Sequence, residues 1–515
     1  MNRSATRIVV GCCLLAGLGQ ARGGWDDGEA AFMRGDYNRA LHEWQQLAEQ
    51  GDSSAQYNVG LMRFKGQGAA QDNEAAVRWF MQAAAQEDAR ACYALGYLYQ
   101  HGHDGRHRDA SQAVHWITQA AEQGLAEAQF NLGLLYRKGR DGLAQDNFQA
   151  AEWFRQAAEQ GLAGGQLGLG YLYDTGRGVP QDHAAAMRWY RAAAAQGNAR
   201  ARLNLGLIYK SVEDYTEAVR WFTLAAEQGL SKARFNLALM YAGGLGVPRD
   251  PLQALQLYRT SADQGFVAAQ VSLGMMYLAG EGAPRDPVEA AKWFTLAAEQ
   301  GDAGAQARLG NMYKDGVGVG QDHTMALYWL GKAAEQGNPE GQFSLGVVYK
   351  KGIGASPDET QAAKWYQLAA EQGYAKAQNN LGYMYATGNG VPQDYVLAHM
   401  WYNQAGANGL ELAVENRDRL AEGMTAAQVA EAQQLARQWT VRQMNTAELK
   451  FSPREQEAAV ARVEYLTVAA PPAADIAPAV HRKTLSYGPR HHGVKRRHKH
   501  LALPVRRLVT TSTQE

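Results

Sequence analysis

The sequence predicts an all-α protein: an α-solenoid of about ten to eleven stacked helix-turn-helix repeats of roughly 36 residues. Three observations carry this. A phrase of the form Trp-aromatic-x-x-Ala-Ala-Glu-Gln-Gly keeps returning. Its closing glycine falls at Gly51, Gly124, Gly161, Gly197, Gly229, Gly265, Gly301, Gly337, Gly373 and Gly409, with Glu87 in the slot between the first two. Most steps are 36 or 37 residues, and only Gly197 to Gly229 is shorter, at 32. Within a phrase the apolar residues fall at i, i+3, i+4 and i+7, as in Ala290, Trp293, Phe294 and Ala297, which is one face of a helix. Helix-starting and helix-stopping residues punctuate every copy at matching places. Such units cannot bury their apolar faces alone and stack into a long surface, so binding is the first functional expectation.

The elements follow in order. Residues 1–21 read as a signal peptide, with Arg3 and Arg7 ahead of the apolar run 8–18 and the small-residue motif Gly19-Gln20-Ala21 as cleavage site. The run is too short for an ordinary spanning helix. A lipoprotein cut before Cys12 is the alternative; few apolar residues precede that cut, so simple export to the periplasm or the exterior is preferred over an outer-membrane lipoprotein. Cleavage leaves Cys92 alone, which rules out an internal disulfide. Cys92 lies on an apolar helix stripe and reads as a small core residue.

Residues 22–409 form the repeat solenoid, opened by an N-terminal cap at 27–34 and 37–50 in which Trp44 stands one step out of the usual register. Each unit reads as a helix A, then a helix B, with a glycine loop leading to the next unit. In helix A, Asp286 is placed as N-cap and Pro287 follows at the first helical position, as do Asp250 and Pro251. Gly301 closes the helix in the left-handed conformation. Helix B starts with the same device at Asn338-Pro339 and carries a Leu-Gly pair, seen at Leu95-Gly96, Leu132-Gly133, Leu169-Gly170, Leu205-Gly206, Leu273-Gly274, Leu309-Gly310, Leu345-Gly346 and Leu381-Gly382. A helical glycine costs about 1 kcal/mol against alanine. Its recurrence implies close backbone approach, and the recurrent Trp is the expected partner. The loops Gly176-x-Gly178-Val179-Pro180, Gly244-x-Gly246-Val247-Pro248 and Gly388-x-Gly390-Val391-Pro392 lie between helices and lack the Lys-Ser/Thr pair of a phosphate cradle, so they are turns. In the short unit, residues 210–214 replace that loop.

The Ala-Glu-Gln-Gly ending, Leu-Gly-x-x-Tyr in helix B and the Gly-x-Gly-Val-Pro-x-Asp loop together resemble Sel-1-like repeats, relatives of tetratricopeptide repeats, over residues 36–409. Departures are local: Glu87 and Ala238 for Gly, Leu257 for Trp, and Arg63 for the helix-B Tyr. The resemblance implies a right-handed superhelix serving as adaptor or scaffold, in bacteria associated with signalling, envelope assembly, exopolysaccharide export and host interaction. One cysteine-rich branch is reported to bind penicillin or hydrolyse β-lactams through units carrying paired cysteines, which this chain lacks.

Residues 410–447 read as C-terminal capping helices, with Thr425 and Gln428 forming a capping box for a helix running to about Trp439. Residues 448–515 read as a Pro/Ala linker and a basic disordered tail. From residue 481 onward nine Lys or Arg face one acid, leaving 42 bases against 50 acids in the rest, so an acidic body carries a basic tail beneath a net charge of zero. Lys495, Arg496, Arg497 and Lys499 mark its densest part. In an exported protein they suit an anionic glycan, lipopolysaccharide or membrane surface better than nucleic acid, and they can equally dock on the acidic body. His491, His492, His498 and His500 have no spacing that fixes a metal geometry, and no cofactor is expected.

No catalytic constellation emerges. Asp182-His183 and Asp322-His323 look like dyads, but each Asp occupies an N-cap slot. Stacking instead makes ladders, with equivalent residues about 8–12 Å apart. The position before the recurrent Trp reads Arg78, His115, Glu152, Arg188, Arg220, Gln256, Lys292, Tyr328, Lys364 and Met400; two places after it stand Arg155, Arg191 and Arg259. The expected partner-binding residues are Arg155, Arg188, Arg191, Arg220, Arg259, Lys292 and Lys364, on the concave helix-A surface, for an acidic or extended protein partner. The bland alternative is a solvated face balancing the glutamates of Ala-Glu-Gln-Gly. The functional expectation is a non-enzymatic scaffold of the envelope or secreted space; the alternative is a cell-wall hydrolase or a glycan or peptidoglycan binder.

Overall fold

The computed structural model describes residues 23–102 and 108–449, and among these it contains 24 helices and no strand. The export signal with Cys12, and the basic tail with Lys495, Arg496, Arg497, Lys499 and its histidines, lie outside the described residues. The described helices fall in two compact units, one ending at Asp88 and the other beginning at Ala89. The first holds four helices, Gly23–Met33, Tyr37–Glu49, Ser53–Lys65 and Asn73–Ala84. The second continues from Ala89–His101 to Ala426–Leu449. B and A helices alternate through both, and the fold is an α-solenoid.

Local chemistry sets each helix. Every A helix from Tyr37–Glu49 to Tyr395–Ala407 has an aspartate N-cap whose carboxylate accepts from first-turn amides, as Asp182 does from Ala185 N at 2.9 Å. Loss of such a cap costs about 1 kcal/mol. B helices are capped less regularly: Asp52, Asn198, Asp302 and Asn338 do so, whereas Leu125 and Leu162 offer no side-chain acceptor.

Two expectations about packing change. The glycine loop does not merely join units; it closes the tightest hairpin, between a B helix and the A helix after it. Gly176 ends helix Ala163–Thr175 in the left-handed region at φ 66°, and Gly178, at φ 73°, lies so close to the preceding A helix that a β-carbon would sit 2.1 Å from Asn147 O. The Asp182 amide then donates to Tyr173 O at 2.9 Å and fixes the return. In the short repeat the same bond, Asp214 N to Tyr209 O, survives without the glycines, and Glu213 takes the left-handed conformation at φ 63°.

The partner of the helix-B glycine is not the tryptophan but the residue after it. A β-carbon at Gly206 would stand 2.5 Å from the Phe222 ring, and one at Gly170 would stand 2.8 Å from Tyr190. Phe154, Tyr190, Phe222, Phe294, Leu330 and Tyr366 are fully buried. The tryptophan lies 100° round the helix and fills a different seam. Trp189 packs against the cluster that joins Phe154 of the preceding repeat to Leu169 and Leu172 of its own helix B; Trp221 and Trp365 pack against the corresponding clusters one and five repeats later. Leu257 fills that seam in the repeat without a tryptophan. The same distinction corrects the register of Trp44. It occupies the buried position, against Gly28 and beside Trp25 and Phe32, so Gly23–Met33 and Tyr37–Glu49 form a degenerate helical pair.

At the C-terminal end, Thr425 and Gln428 exchange backbone amide bonds in a capping box at 2.9 and 3.3 Å. That helix runs to Leu449, ten residues beyond the expected end, because no Gly or Pro interrupts it.

Candidate interaction surface

Helix A turns its Ala, Phe/Tyr and Ala-Ala positions inward. The residue before the Trp and those two and three after it therefore point outward, the latter two about 60° and 40° from the first. Arg188, Arg220, Lys292 and Lys364 are exposed on that face, as are Arg191 and Arg259, while Arg155 is half-buried. The structure divides these seven cations into two groups. Arg155, Arg191 and Arg259 each reach the helix-B tyrosine eighteen residues on: Arg191 Nη2 donates to Tyr209 OH at 2.6 Å, Arg259 Nη2 to Tyr277 OH, and Arg155 bonds Tyr173. The bond to Tyr173 is the main reason the Arg155 guanidinium is held above its ordinary pKa. These three tie helix A to the following helix B.

The remaining cations stand farther out. Arg220 pairs with Glu217 at 3.2 Å and Lys292 with Glu289 at 2.9 Å, each one turn apart on the same helix. Such exposed pairs contribute little, about 0.3–0.5 kcal/mol, and open readily. Arg188 and Lys364 form no ion pair among the described residues. Glu217 also accepts from Trp221 Nε1 at 3.1 Å. Its counterpart Glu289 is engaged by Lys292 and Arg259, and Trp293 Nε1 is buried without an acceptor.

Three features escaped the sequence reading. The glutamine of Glu-Gln-Gly, itself exposed, belongs to a half-buried ladder in which it bonds a buried helix-B glutamine. Gln306 Nε2 donates to Ala298 O at 3.0 Å, and its Oε1 accepts from Gln336 Nε2 at 2.7 Å, thirty residues on. Gln166 with Gln196, Gln270 with Gln300, Gln342 with Gln372 and Gln378 with Asn408 repeat the bond. The recurrence of Gln at two fixed offsets was the available signal. The second feature is helix Ala426–Leu449, which lies on the outward face of helix Tyr395–Ala407 and covers Met400, Trp401 and Gln404. Nothing in its sequence names that partner. The third is His399, buried in the same A helix with Nδ1 unpartnered, its pKa lowered chiefly by burial and then by Arg417, against the opposing effect of Asp418. It stands where other repeats have an apolar residue, such as Ala291, Leu327 and Ala363.

The Sel1 repeat model matches ten consecutive segments, 53–88, 89–125, 126–162, 163–198, 199–230, 231–266, 267–302, 303–338, 339–374 and 375–410. The chain belongs to the Sel1 repeat family. Each Sel1 segment opens with a B helix and closes with the A helix across the glycine loop, in the phase that the glycine–aromatic contacts define. Among solved structures, c5321, a protective antigen of uropathogenic Escherichia coli with an SLR fold, is 34% identical; the match covers 78% of this chain and 94% of that one at a TM-score of 0.52. A Sel1 repeat protein from Oxalobacter formigenes is 31% identical, over 67% of this chain and 90% of that one, with a TM-score of 0.38. No curated protein matches the chain.

Within the Sel1 array the two Asp-His pairs are helix starts. Asp182 and Asp322 cap their helices through Ala185 N and through Thr324 N and Met325 N. His183 instead approaches buried Asp174, with Nδ1 3.0 Å from Oδ1. Cys92 is buried among the apolar residues of its B helix. No helix among the described residues is long and apolar enough to cross a membrane.

Proposed function

We propose that this Sel1 repeat protein is a non-enzymatic scaffold of the bacterial envelope or secreted space that holds protein partners along the outward face of its A helices. The observation that carries this reading is the contrast within each A helix. Inward positions repeat Ala, an aromatic or large apolar residue, then Ala-Ala, whereas the outward row changes from Arg188 to Arg220, Lys292, Tyr328 and Lys364. Side chains that pack repeat to repeat leave this row outside the fold's own needs. The basic tail, with Lys495, Arg496, Arg497 and Lys499, adds attachment to an anionic glycan, lipopolysaccharide or membrane surface. Similarity to c5321, a protective antigen, supports the exported location, as does the N-terminal pattern of the sequence.

Cross-linking in envelope extracts tests the reading. Reversing charge at Arg188, Arg220 and Lys364 lowers the yield of cross-linked partner about tenfold or more while the melting temperature stays within about 2 °C. Unchanged cross-linking overturns it. Turnover of a chromogenic β-lactam or of peptidoglycan fragments by the purified chain would establish the hydrolase alternative instead. Mass spectrometry of the mature N-terminus separates free export from lipidation at Cys12.

A further inference from the structure

Building on the outward A-helix face as a binding surface, we infer that residues 267–374 accept an amphipathic α-helix from a protein partner, one with an apolar stripe and an acidic edge. The chain displays this mode of binding at its own last repeat. Helix Ala426–Leu449 is seated on helix Tyr395–Ala407, with the Trp439 and Trp401 rings edge to face at 5.0 Å. Gln404 Nε2 donates to Ala436 O at 2.7 Å and approaches Thr440 Oγ1 at 3.3 Å. The seated helix offers Ala432, Leu435, Ala436 and Trp439, spaced i, i+3, i+4 and i+7 on one face.

The rungs it covers elsewhere stand bare. Met400, Trp401 and Gln404 are all buried beneath it. In the three preceding repeats, Leu296 and Leu368, at the place of Gln404, are 44% and 37% exposed, and Tyr328, at the place of Met400, is 49% exposed. The tryptophan beside each is retained, buried at Trp293 and Trp329 and half-buried at Trp365, so the same backbone frame continues past the seated helix. Scattered exposed apolar residues are ordinary. Apolar residues at the two neighbouring outward positions in three successive repeats, continuous with a surface that does hold a helix, mark an interface of the helix-in-groove kind.

Charge selects the occupant. Lys332 and Lys364 form no ion pair among the described residues, and Lys332 is held with its ammonium 4.6 Å from the Tyr328 ring centroid. A carboxylate on the edge of an incoming helix meets a cation already positioned, at less entropic cost than a free lysine demands. A second copy of this chain is disfavoured because its own apolar stripe is already engaged on its own last repeat.

The test uses the full chain and a labelled peptide of residues 426–449 carrying Arg437→Glu and Arg442→Glu, followed by fluorescence anisotropy. The expected result is saturable binding in the range of about 1–100 μM. Leu368→Glu and Lys364→Glu, both exposed and outside the core, each weaken it about tenfold without lowering the melting temperature, and added salt weakens it further. Absence of saturable binding, or binding indifferent to both substitutions, overturns the inference. So does binding that only Trp401→Ala abolishes, which marks exchange at the last repeat, or self-association of the chain that Trp439→Ala removes. If the peptide fails while cross-linking still responds to charge reversal at Arg188, Arg220 and Lys364, the surface stands and only the helical partner falls. If neither responds, the surface reading falls too.

Discussion

Repeats 339–374 and 375–410 share one inner face and differ on the outer one. Tyr366 and Tyr402 are both buried against helix-B glycines, Gly346 and Gly382, and Ala362 and Ala398 lie beneath them in equivalent places. Outside, the first repeat shows Lys364, half-buried Trp365 and exposed Leu368. The second shows Met400, Trp401 and Gln404, all buried under helix Ala426–Leu449. The inner face is dictated by stacking and hardly changes along the array. The outer face takes its composition from whatever covers it, water or another helix.

That comparison is sharpened first from inside. Tyr366→Ala and Tyr402→Ala should each destabilise by about 3–5 kcal/mol in urea unfolding, because both empty a space bounded by a glycine and alanines that cannot collapse. Similar losses at the two sites are the expected result; a large disparity would break the claim of a shared inner face. Gly346→Ala should cost about 1–3 kcal/mol, since its new methyl would stand 2.7 Å from the Tyr366 ring.

The outer face should show the opposite behaviour. Trp439→Ala removes the cover from Trp401, with an expected cost of about 2 kcal/mol and a red shift in indole fluorescence. Lys364→Ala, one repeat earlier, should change stability by less than about 0.5 kcal/mol. Equal effects would mean that the bare rung is already packed.

The smallest expected effect concerns pH. His399 is buried and neutral, facing Arg417 and Asp418, with a folded pKa below its ordinary value. The unfolded chain therefore binds the extra proton first, and stability falls as pH drops below the unfolded value of about 6.5. His399→Ala, which restores the residue type found at Ala363, should flatten urea midpoints between about pH 7 and 5 relative to the parent. An unchanged slope would show that the imidazole is solvated.

Much of this was legible in the residues because repetition samples each position many times. The Asp caps, the paired loop glycines and the alternation of A and B helices all follow from local rules that apply at every copy. The tryptophan was misplaced because periodicity identifies an apolar face without ordering the residues on it. Trp153 and Phe154 lie on the same stripe, and only packing assigns the phenyl ring to the glycine and the indole to the seam. Trp44 looked displaced for the same reason. The candidate surface was less legible. Arg191 and Arg188 have equal charge in the sequence, yet Tyr209 holds the first and not the second. The seating of helix Ala426–Leu449 depends on a return of the chain that no local pattern encodes.

The central claim is that the outward row binds while the inner face folds. Measuring both properties on Lys364→Glu/Leu368→Glu and on Tyr366→Ala separates them most directly. The double variant should keep its melting temperature within about 2 °C of the parent and lose cross-linked partner, while Tyr366→Ala should lose stability at any level of cross-linking. A double variant that melts as early as Tyr366→Ala, or that cross-links as well as the parent, would contradict the claim.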